Sequence, residues 1–312
     1  MAGLTHSAFR RLVADFGGHG ALFTEMLCGR WLLRERLEAS PAVKRRPQEG
    51  PVFYQLMIGD PDLVPTIMDR LRQVQPTGVD LNCACPAPNI RAVGAGSELF
   101  EDPPRMEAIL RAMRRRFDGP LTVKIRLGKP GGDWRARLLD RLRLIADCGA
   151  DAVTLHPRFS DEKLKRRARH ELFPELCAAA SLPVIASGDI HGPEVLEAHA
   201  EHFAGVGAVM VGRMAVVQPW LFSAWDGEPP AINHLEVWQR LLRYTLEDFA
   251  PAKAFYRVKA FTRYFARNFQ FGHTLDAIAQ GAPELDTLCR RAEEFLGRDP
   301  VLTCRPHVAG LS

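Results

Sequence analysis

The sequence lacks the long apolar runs that mark membrane and secreted proteins. No stretch reaches the roughly 18 uninterrupted apolar residues of a transmembrane helix, and the N-terminal segment MAGLTHSAFRR has no apolar core of a signal peptide. The seven cysteines are odd in number and irregularly spaced, which favours a reducing compartment over a disulfide framework. We therefore expect a cytoplasmic protein without membrane contact.

A strong excess of one charge is also missing. The chain has 41 Lys and Arg against 37 Asp and Glu, a net charge of +4, so composition alone does not indicate a nucleic-acid-binding protein. Neither an internal repeat beyond the strand-helix unit nor a low-complexity segment is evident. The 312 residues, 46% of them apolar, suffice for one large domain and a small one.

What is present is a series of seven short β-rich runs, most of them followed by a segment of helical periodicity. The runs are GALFTEM (20 to 26), VFYQLM (52 to 57), GVDLNCA (78 to 84), LTVKIRL (121 to 127), AVTLHPR (152 to 158), LPVIASGD (182 to 189) and AVMVGRM (208 to 214). This alternation predicts a parallel sheet covered by helices. At this length the series favours an α/β TIM (β/α)8 barrel, and an open doubly wound sheet is the alternative.

Nearly every run ends in polar residues, which a barrel would gather around one mouth. These are Glu25, Gln55, Asn82 with Cys85, Lys124 with Arg126, His156 with Arg158, Ser187 with Asp189, and Gly212 with Arg213. Polar residues also mark where any strand leaves a core, but seven such ends together favour a site. Glycine and arginine at 187 to 189 and 212 to 213 stand where barrel enzymes commonly bind phosphate.

The predicted barrel has only seven of its eight strands, because MAGLTHSAFRRLVADFG indicates a loop and a helix with no strand before them. We expect that the first strand is missing through a misassigned or truncated start. A linker around 223 to 236 precedes three predicted helices. The expected domains are thus a catalytic barrel over residues 1 to 225 and a small all-α domain over 233 to 312.

Cys85 and Lys124 are the residues whose positions are hardest to explain by packing. Cys85 falls at a turn after a strand, where it suits a nucleophile, a metal ligand, a general acid or an inert thiol. Zinc is disfavoured because no second cysteine pair lies near, so we expect no metal. A thiol with a pKa of about 8.5 is mostly protonated at neutral pH and can donate a proton. Lys124 interrupts an apolar strand and needs an anionic ligand or a structural ion pair.

Basic residues cluster in four segments, at 42 to 46, 111 to 117, 163 to 170 and 257 to 267. In the last, Lys259, Arg263 and Arg267 are spaced by four residues and form one stripe on a helix. Such a stripe is typical either of a solvated helix face or of a surface that follows a phosphate backbone.

The sequence resembles the tRNA-dihydrouridine synthases, flavoenzymes that reduce uridine in tRNA. The segment DLNCACPAPNIRAVGAGSELF is similar to that family's signature of an acidic residue, an asparagine, a Cys-Pro pair and a Gly-x-Gly loop. Further matches follow the family's order along nearly the whole chain: MAGLTHSAFRRL, TEM, VFYQLMIGDP, VKIRLG, HPR, ASGD, VGRMAVVQPWLF and a helical tail. The chain departs from the pattern at Ala84, where glycine is usual, and at Ser187, where asparagine is usual.

The resemblance implies a barrel that binds FMN, NADPH as the reductant of the flavin, and tRNA as the substrate. It assigns Cys85 as the general acid that protonates C5 of uracil while hydride goes to C6. The implied flavin-binding residues are Met1, Ala2, Gln55, Lys124, His156, Ser187, Gly188, Asp189, Gly212 and Arg213. The implied substrate-binding residues are Asn82 and Arg158, with Lys259, Arg263 and Arg267 on the helical domain.

Two other functions remain open at this point. A flavin-dependent barrel that reduces a free pyrimidine would not need the basic clusters at 163 to 170 and 257 to 267. An RNA-binding homologue without catalysis is compatible with a missing first strand. We favour the synthase, as a monomer.

Overall fold

A computed structural model describes residues 1 to 162, 164, 166 to 225, 227, 231 to 308 and 311. Lys163 and Lys165, from the basic segment 163 to 170, lie outside the described residues, as does part of the predicted linker. The chain divides into two compact units. The first comprises Met1–Glu25, Ala39–Gly50 and Gly212–Ser312, and the second comprises Met26–Glu38 and Pro51–Val211. The predicted boundary between 225 and 233 stays a prediction.

The second unit is built on seven parallel strands that pair in chain order, β2 to β8. They are β2 (Leu27–Cys28), β3 (Val52–Met57), β4 (Gly78–Cys83), β5 (Leu121–Ile125), β6 (Ala152–Leu155), β7 (Val184–Ser187) and β8 (Ala208–Met210). Its helices are α2 (Gly29–Leu32), α3 (Val64–Leu71), α4 (Pro88–Arg91), α5 (Ser97–Phe100), α6 (Pro103–Arg114), α7 (Trp134–Asp147), α8 (Phe173–Ala179) and α9 (Pro193–Ala198). This half-barrel of parallel strands and surrounding helices confirms the predicted fold class.

The central strand β4 is buried at every position. A run of apolar residues with few polar interruptions suits a strand covered on both faces, which is the usual setting of parallel sheets. The run predicted as one strand at 20 to 26 differs, since only Leu22–Phe23 of it forms a strand, β1, which lies in the first unit. Strand β2 begins just after the run, at Leu27.

The first unit is helical, with α1 (Ser7–Phe16), α10 (Arg213–Val217), α11 (His234–Asp248), α12 (Pro251–Phe265), α13 (Gly272–Gly281) and α14 (Leu285–Leu296). On α12 the apolar face predicted for Val258, Phe261 and Phe265 is confirmed, because all three are at most 2% exposed. Helix α13 was not predicted, since the glycines at both of its ends favour the prediction of a loop.

A buried ion pair organises the N-terminal part of this unit. Arg10 donates from Nε to Glu49 Oε2 at 2.6 Å and from Nη1 to the Thr5 carbonyl at 2.9 Å. Both charged side chains are at most 1% exposed, so each depends on the other to offset its desolvation. Among the described residues, no helix is long and apolar enough to cross a membrane.

Candidate active site at the ends of the parallel strands

Register places six polar residues in two adjacent layers on one face of the sheet. Gln55 pairs with Asp80, and Asp80 pairs with Thr122. Two residues further along, Asn82 pairs with Lys124, and Lys124 pairs with Thr154. Because side chains alternate with a period of two, both layers lie on the same face of the sheet. The second layer lies nearer the carboxyl ends, since each of its residues is next to the last residue of its strand.

The turn that carries Cys85 is held by Asn82. The Asn82 Oδ1 atom accepts hydrogen bonds from the backbone N–H groups of Ala84 at 3.1 Å and Cys85 at 3.0 Å. This is the local arrangement by which asparagine side chains shape turns. The predicted site residues Asn82 and Cys85 are therefore brought together, and Cys85 itself is half-buried.

The Gly-x-Gly loop contacts the same turn from the other side. Gly96 has φ of +61°, and a Cβ built on it would lie 2.4 Å from the Cys85 carbonyl oxygen. The Cys85 carbonyl also accepts a hydrogen bond of 2.9 Å from the Ser97 N–H. Glycine is required at position 96 both for its conformation and for this close approach.

Two cations lie near the Cys85 thiol. Burial lowers the pKa of Lys124 to about 8, with Asp80 acting in the opposite direction. Burial also lowers the pKa of Arg126, and the charge of Cys85 affects both groups. No described carboxylate lies within 4.0 Å of the Lys124 ammonium. The structural ion pair that was one alternative for Lys124 is therefore not formed with a described residue.

At the ends of β6 and β7, His156, Arg158 and Asp189 form one group. Arg158 is 1% exposed and donates to His156 Nε2, to the Arg166 carbonyl and to Asp189 Oδ2. Since a guanidinium only donates, Nε2 of His156 must accept, which leaves the ring proton on Nδ1. Asp189 also accepts from the Ala168 N–H at 2.9 Å.

Ser187 and Gly188 complete this edge. Ser187, the last residue of β7, is 8% exposed. Gly188 has φ of +101°, and a Cβ there would lie 2.5 Å from Cδ2 of His156. The strand end thus approaches the imidazole closely because position 188 has no side chain.

Four predicted flavin-binding residues lie in the first unit. The Met1 amino group donates to Thr5 Oγ1 at 2.7 Å, and a Cβ on Gly212 would lie 3.7 Å from Met1 Sδ. Ala2 is exposed. Arg213 donates to the carbonyls of Val308 and Leu311, each at 3.3 Å, so the chain's own C-terminal segment contacts this arginine.

The predicted tRNA-binding stripe lies on α12 and the 3-10 turn after it. Lys259 donates to the carbonyls of Gln280 at 2.8 Å and Ala282 at 3.3 Å. Arg263 is exposed, and Arg267 is half-buried. The three residues follow one another along α12 and this turn, but the Lys259 ammonium also donates hydrogen bonds to carbonyls at the end of α13.

Elsewhere, several basic residues of the other clusters are bound to carboxylates. The pairs are Lys44 and Arg46 with Asp248, Arg111 with Glu107, Arg114 with Asp151, Arg116 with Asp69, and Arg169 with Glu162. A separate cluster of His199, Glu201 and His202 has ligand atoms within 4.8 Å of one another and could hold a metal ion. It contains no predicted site residue, and the expectation of no metal stays a prediction.

Three buried polar residues of the strand face, Asp80, Thr122 and Thr154, were not predicted for the site. Asp80 is 0% exposed and accepts from Gln55 Nε2 and Thr122 Oγ1, both at 2.7 Å. Burial raises the pKa of Asp80 to about 6, partly offset by these hydrogen bonds and by Lys124. The available signal is a carboxylate within an apolar strand, but its partners depend on register that the sequence does not show.

The residues present on the strand face fit a flavin. Lys124 offers an ammonium that no described carboxylate neutralises, which suits the carbonyl and ring-nitrogen acceptors of an isoalloxazine. Gly188 leaves space beside His156 that a side chain would fill. The donor set and the missing Cβ together make this edge compatible with a planar ring system.

Comparison with known proteins identifies the family. The model of the family described as dihydrouridine synthase matches residues 1 to 295. The chain belongs to the dihydrouridine synthase family. This confirms the resemblance and, with it, the prediction that the chain is an oxidoreductase enzyme.

Individual relatives agree. The chain is 32% identical over 222 residues to a protein of Synechocystis named probable tRNA-dihydrouridine synthase 1, covering 71% of this chain and 61% of that one. It is 29% identical over 315 residues to tRNA-dihydrouridine synthase B of Escherichia coli, covering 95% of both. The structure of histamine dehydrogenase from Rhizobium sp. 4-9 aligns with a TM-score of 0.53 at 12% identity, over 70% of this chain and 42% of that one. The last match shows a shared fold alone.

Proposed function

We propose that this enzyme reduces a uridine of tRNA to dihydrouridine, with FMN as its bound cofactor and NADPH as the reductant of the flavin. The observation that carries the proposal is the Cys85 turn. In this member of the dihydrouridine synthase family, Asn82 holds the turn that carries the Cys85 thiol, at a strand end beside two cations. This arrangement suits one proton transfer to a substrate at the end of the sheet.

When bound and reduced, FMN would supply hydride chemistry at the C6 atom of uracil. Cys85 donates its thiol proton to C5, so the C5=C6 double bond gains one hydride and one proton. The sulfur is left negative, and the nearby charges of Lys124 and Arg126 favour that negative charge until solvent returns a proton. The guanidinium of Arg158 donates to Nε2 of His156 and so occupies the lone pair with which this ring nitrogen would otherwise accept a proton.

The ring system of the cofactor would be bound by three residues of the strand face, Gln55, Lys124 and His156. Ser187, Gly188, Asp189, Gly212 and Arg213 would hold the ribityl chain and phosphate, with Met1 and Ala2 beside the ring. For tRNA, Asn82 and Arg158 act near the uracil, and the helical residues 233 to 312 bind the phosphate backbone through Lys259, Arg263 and Arg267. The uridine must leave its stack to reach the thiol. A cytoplasmic location follows from the substrate.

The test is the dihydrouridine content of tRNA, measured by nucleoside mass spectrometry in cells that lack the gene. Complementation with the wild type should restore dihydrouridine, and Cys85→Ala should not. Cys83→Ala is the matched control, because this thiol is two residues away and buried at 1% exposure. Loss of function in both variants would point to damage of the strand rather than to proton donation.

Purified protein separates the alternatives. We expect a yellow, FMN-containing protein that oxidises NADPH in the presence of tRNA lacking dihydrouridine. Turnover with free uracil or uridine at comparable rates would favour a free-pyrimidine reductase. A protein that binds tRNA but takes up no flavin would be a non-catalytic homologue, and the proposal would be wrong.

A further inference from the structure

A continuous series of hydrogen bonds connects a buried carboxylate to the Cys85 turn. Asp80 accepts from Gln55 Nε2 at 2.7 Å, and Gln55 Oε1 accepts from Asn82 Nδ2 at 2.9 Å. Asn82 Oδ1 then accepts from the N–H groups of Ala84 and Cys85. Every step lies within the second unit and follows from strand register.

The direction of this series is set at Asp80. An ionised carboxylate only accepts, so Gln55 must turn its NH2 group toward Asp80 and its oxygen toward Asn82. Asn82 must then point its NH2 group toward Gln55, which leaves its oxygen for the two backbone N–H groups. If either amide were reversed, two donors would face each other at one junction, and buried polar groups would lose their partners.

The location of Asp80 is costly for a residue with only a structural role. Its side chain is 0% exposed, and no described cation lies within 4.0 Å of it. A buried carboxylate without a close ion pair costs free energy of folding that an apolar residue would not. At neutral pH the carboxyl is nevertheless ionised, because its pKa of about 6 lies below that value.

We propose that Asp80 is a positioning residue that fixes, through Gln55 and Asn82, the turn that presents Cys85. The importance of this role for catalysis rests on the proposed function, in which Cys85 is the proton donor. The role itself is a property of the folded chain. Asp80 accepts hydrogen bonds from Gln55 and Thr122 and not from the turn, so the proposed positioning effect passes through the two amides.

Amide hydrogen exchange of Ala84 and Cys85 tests the proposal in the full-length chain as purified. Asp80→Leu removes the carboxylate that accepts from Gln55. Exchange at the two amides should then accelerate by roughly tenfold, the equivalent of one net hydrogen bond. Asp80→Asn should stay close to wild type. Its Oδ1 can accept from Gln55 while its Nδ2 donates to the Thr122 hydroxyl, which preserves the direction of the series.

Three further variants keep the test decisive. Gln55→Leu interrupts the series at a half-buried residue and should reproduce the acceleration even if Asp80→Leu does not fold. Thr122→Val removes the hydrogen bond to the other carboxylate oxygen, Oδ1, and should leave the two amides unchanged. Lys124→Met removes a predicted flavin contact that forms no hydrogen bond in the series, so it reports the effect of losing the flavin together with the Lys124 charge.

Exchange at Val123 and Ile125 of the neighbouring strand distinguishes local positioning from general destabilisation. Unchanged rates there, together with faster rates at Ala84 and Cys85, are the expected result. The proposal is overturned if Gln55→Leu leaves the two amides at wild-type rates, or if Lys124→Met accelerates them equally. Absence of dihydrouridine formation by the wild type would refute the proposed function and leave this result standing.

Discussion

At the scale of single residues, Lys124 shows how a site can act against stability. Its side chain is half-buried, and burial lowers its pKa to about 8 from 10.5. The groups that influence it are Asp80 on β4, Arg126 directly after the end of β5, and Cys85 on the turn after β4. Only Asp80 and the thiolate form of Cys85 favour its charge, so at neutral pH the protonated ammonium is a cost to the folded state.

We predict that Lys124→Met stabilises the protein at pH 7 by about 2 kcal/mol while activity is lost. Between pH 8 and pH 10.5 the unfolded wild type binds more protons at this position than the folded wild type. The stability of the wild type should therefore rise with pH across that window. The advantage of the variant should shrink accordingly.

Denaturant unfolding at several pH values measures this difference. Lys129→Met is the matched control, since Lys129 is an exposed lysine five residues away and should show no such pH dependence. A Lys124→Met variant that is less stable than wild type at pH 7 would contradict the assignment of Lys124 as a destabilising buried cation.

At the same scale, the sequence predicts some contacts and not others. Asn82 and Cys85 are recognisable because their contact is local, within three residues of a strand end. The bond from Gln55 to Asp80 spans 25 positions and depends on the register of two strands. Register is fixed by tertiary pairing, which no single segment encodes.

At the scale of elements, the loop after β4 depends on Gly96. The Gly-x-Gly loop makes a tight contact, because its second glycine lies against the Cys85 carbonyl. Substitution by alanine would add a collision at 2.4 Å to the cost of a positive φ. The neighbouring backbone atom cannot move without moving the turn that holds Cys85.

We predict that Gly96→Ala destabilises the protein by more than the roughly 1 kcal/mol expected for a positive φ alone. Gly50→Ala is the matched control: Gly50 has φ of +63° against +61° for Gly96, and no atom lies within 4 Å of its added Cβ. Thermal unfolding measures the loss of stability in both variants, and the difference between the two losses is the free-energy cost of the collision. Equal destabilisation would mean that the loop relaxes away from Cys85.

The strands were easier to predict than the helices. Val/Ile/Leu-rich runs bounded by turns located β3 to β8, because burial on both faces leaves a clear pattern. The run at 20 to 26 shows a limit, since its strand ends at Phe23, before the polar residues Thr24 and Glu25, and β2 starts only at Leu27. Helix α13 shows another, because intrinsic propensity is weak where packing determines the helix.

At the scale of the whole molecule, the net charge of +4 conceals how the basic residues are used. In the segments at 42 to 46 and 111 to 117, Lys44, Arg46, Arg111, Arg114 and Arg116 pair with described carboxylates. The pairs of Arg111, Arg114 and Arg116 are exposed or partly exposed and contribute little to stability. All of these pairs leave less charge for a polyanion. Arg263 differs, since it is exposed on α12 and forms no ion pair with a described carboxylate.

We therefore predict that Arg263→Ala weakens tRNA binding and reduces the dependence of log K on log salt concentration by roughly one, the value for one phosphate contact. Arg111→Ala removes the same charge from another exposed helical arginine, one that pairs with Glu107 at 2.8 Å. It should change the slope little. Binding measured over a series of salt concentrations tests both variants together. Equal slopes for the two would show that tRNA responds to the overall charge of the molecule, and that α12 is a solvated helix face.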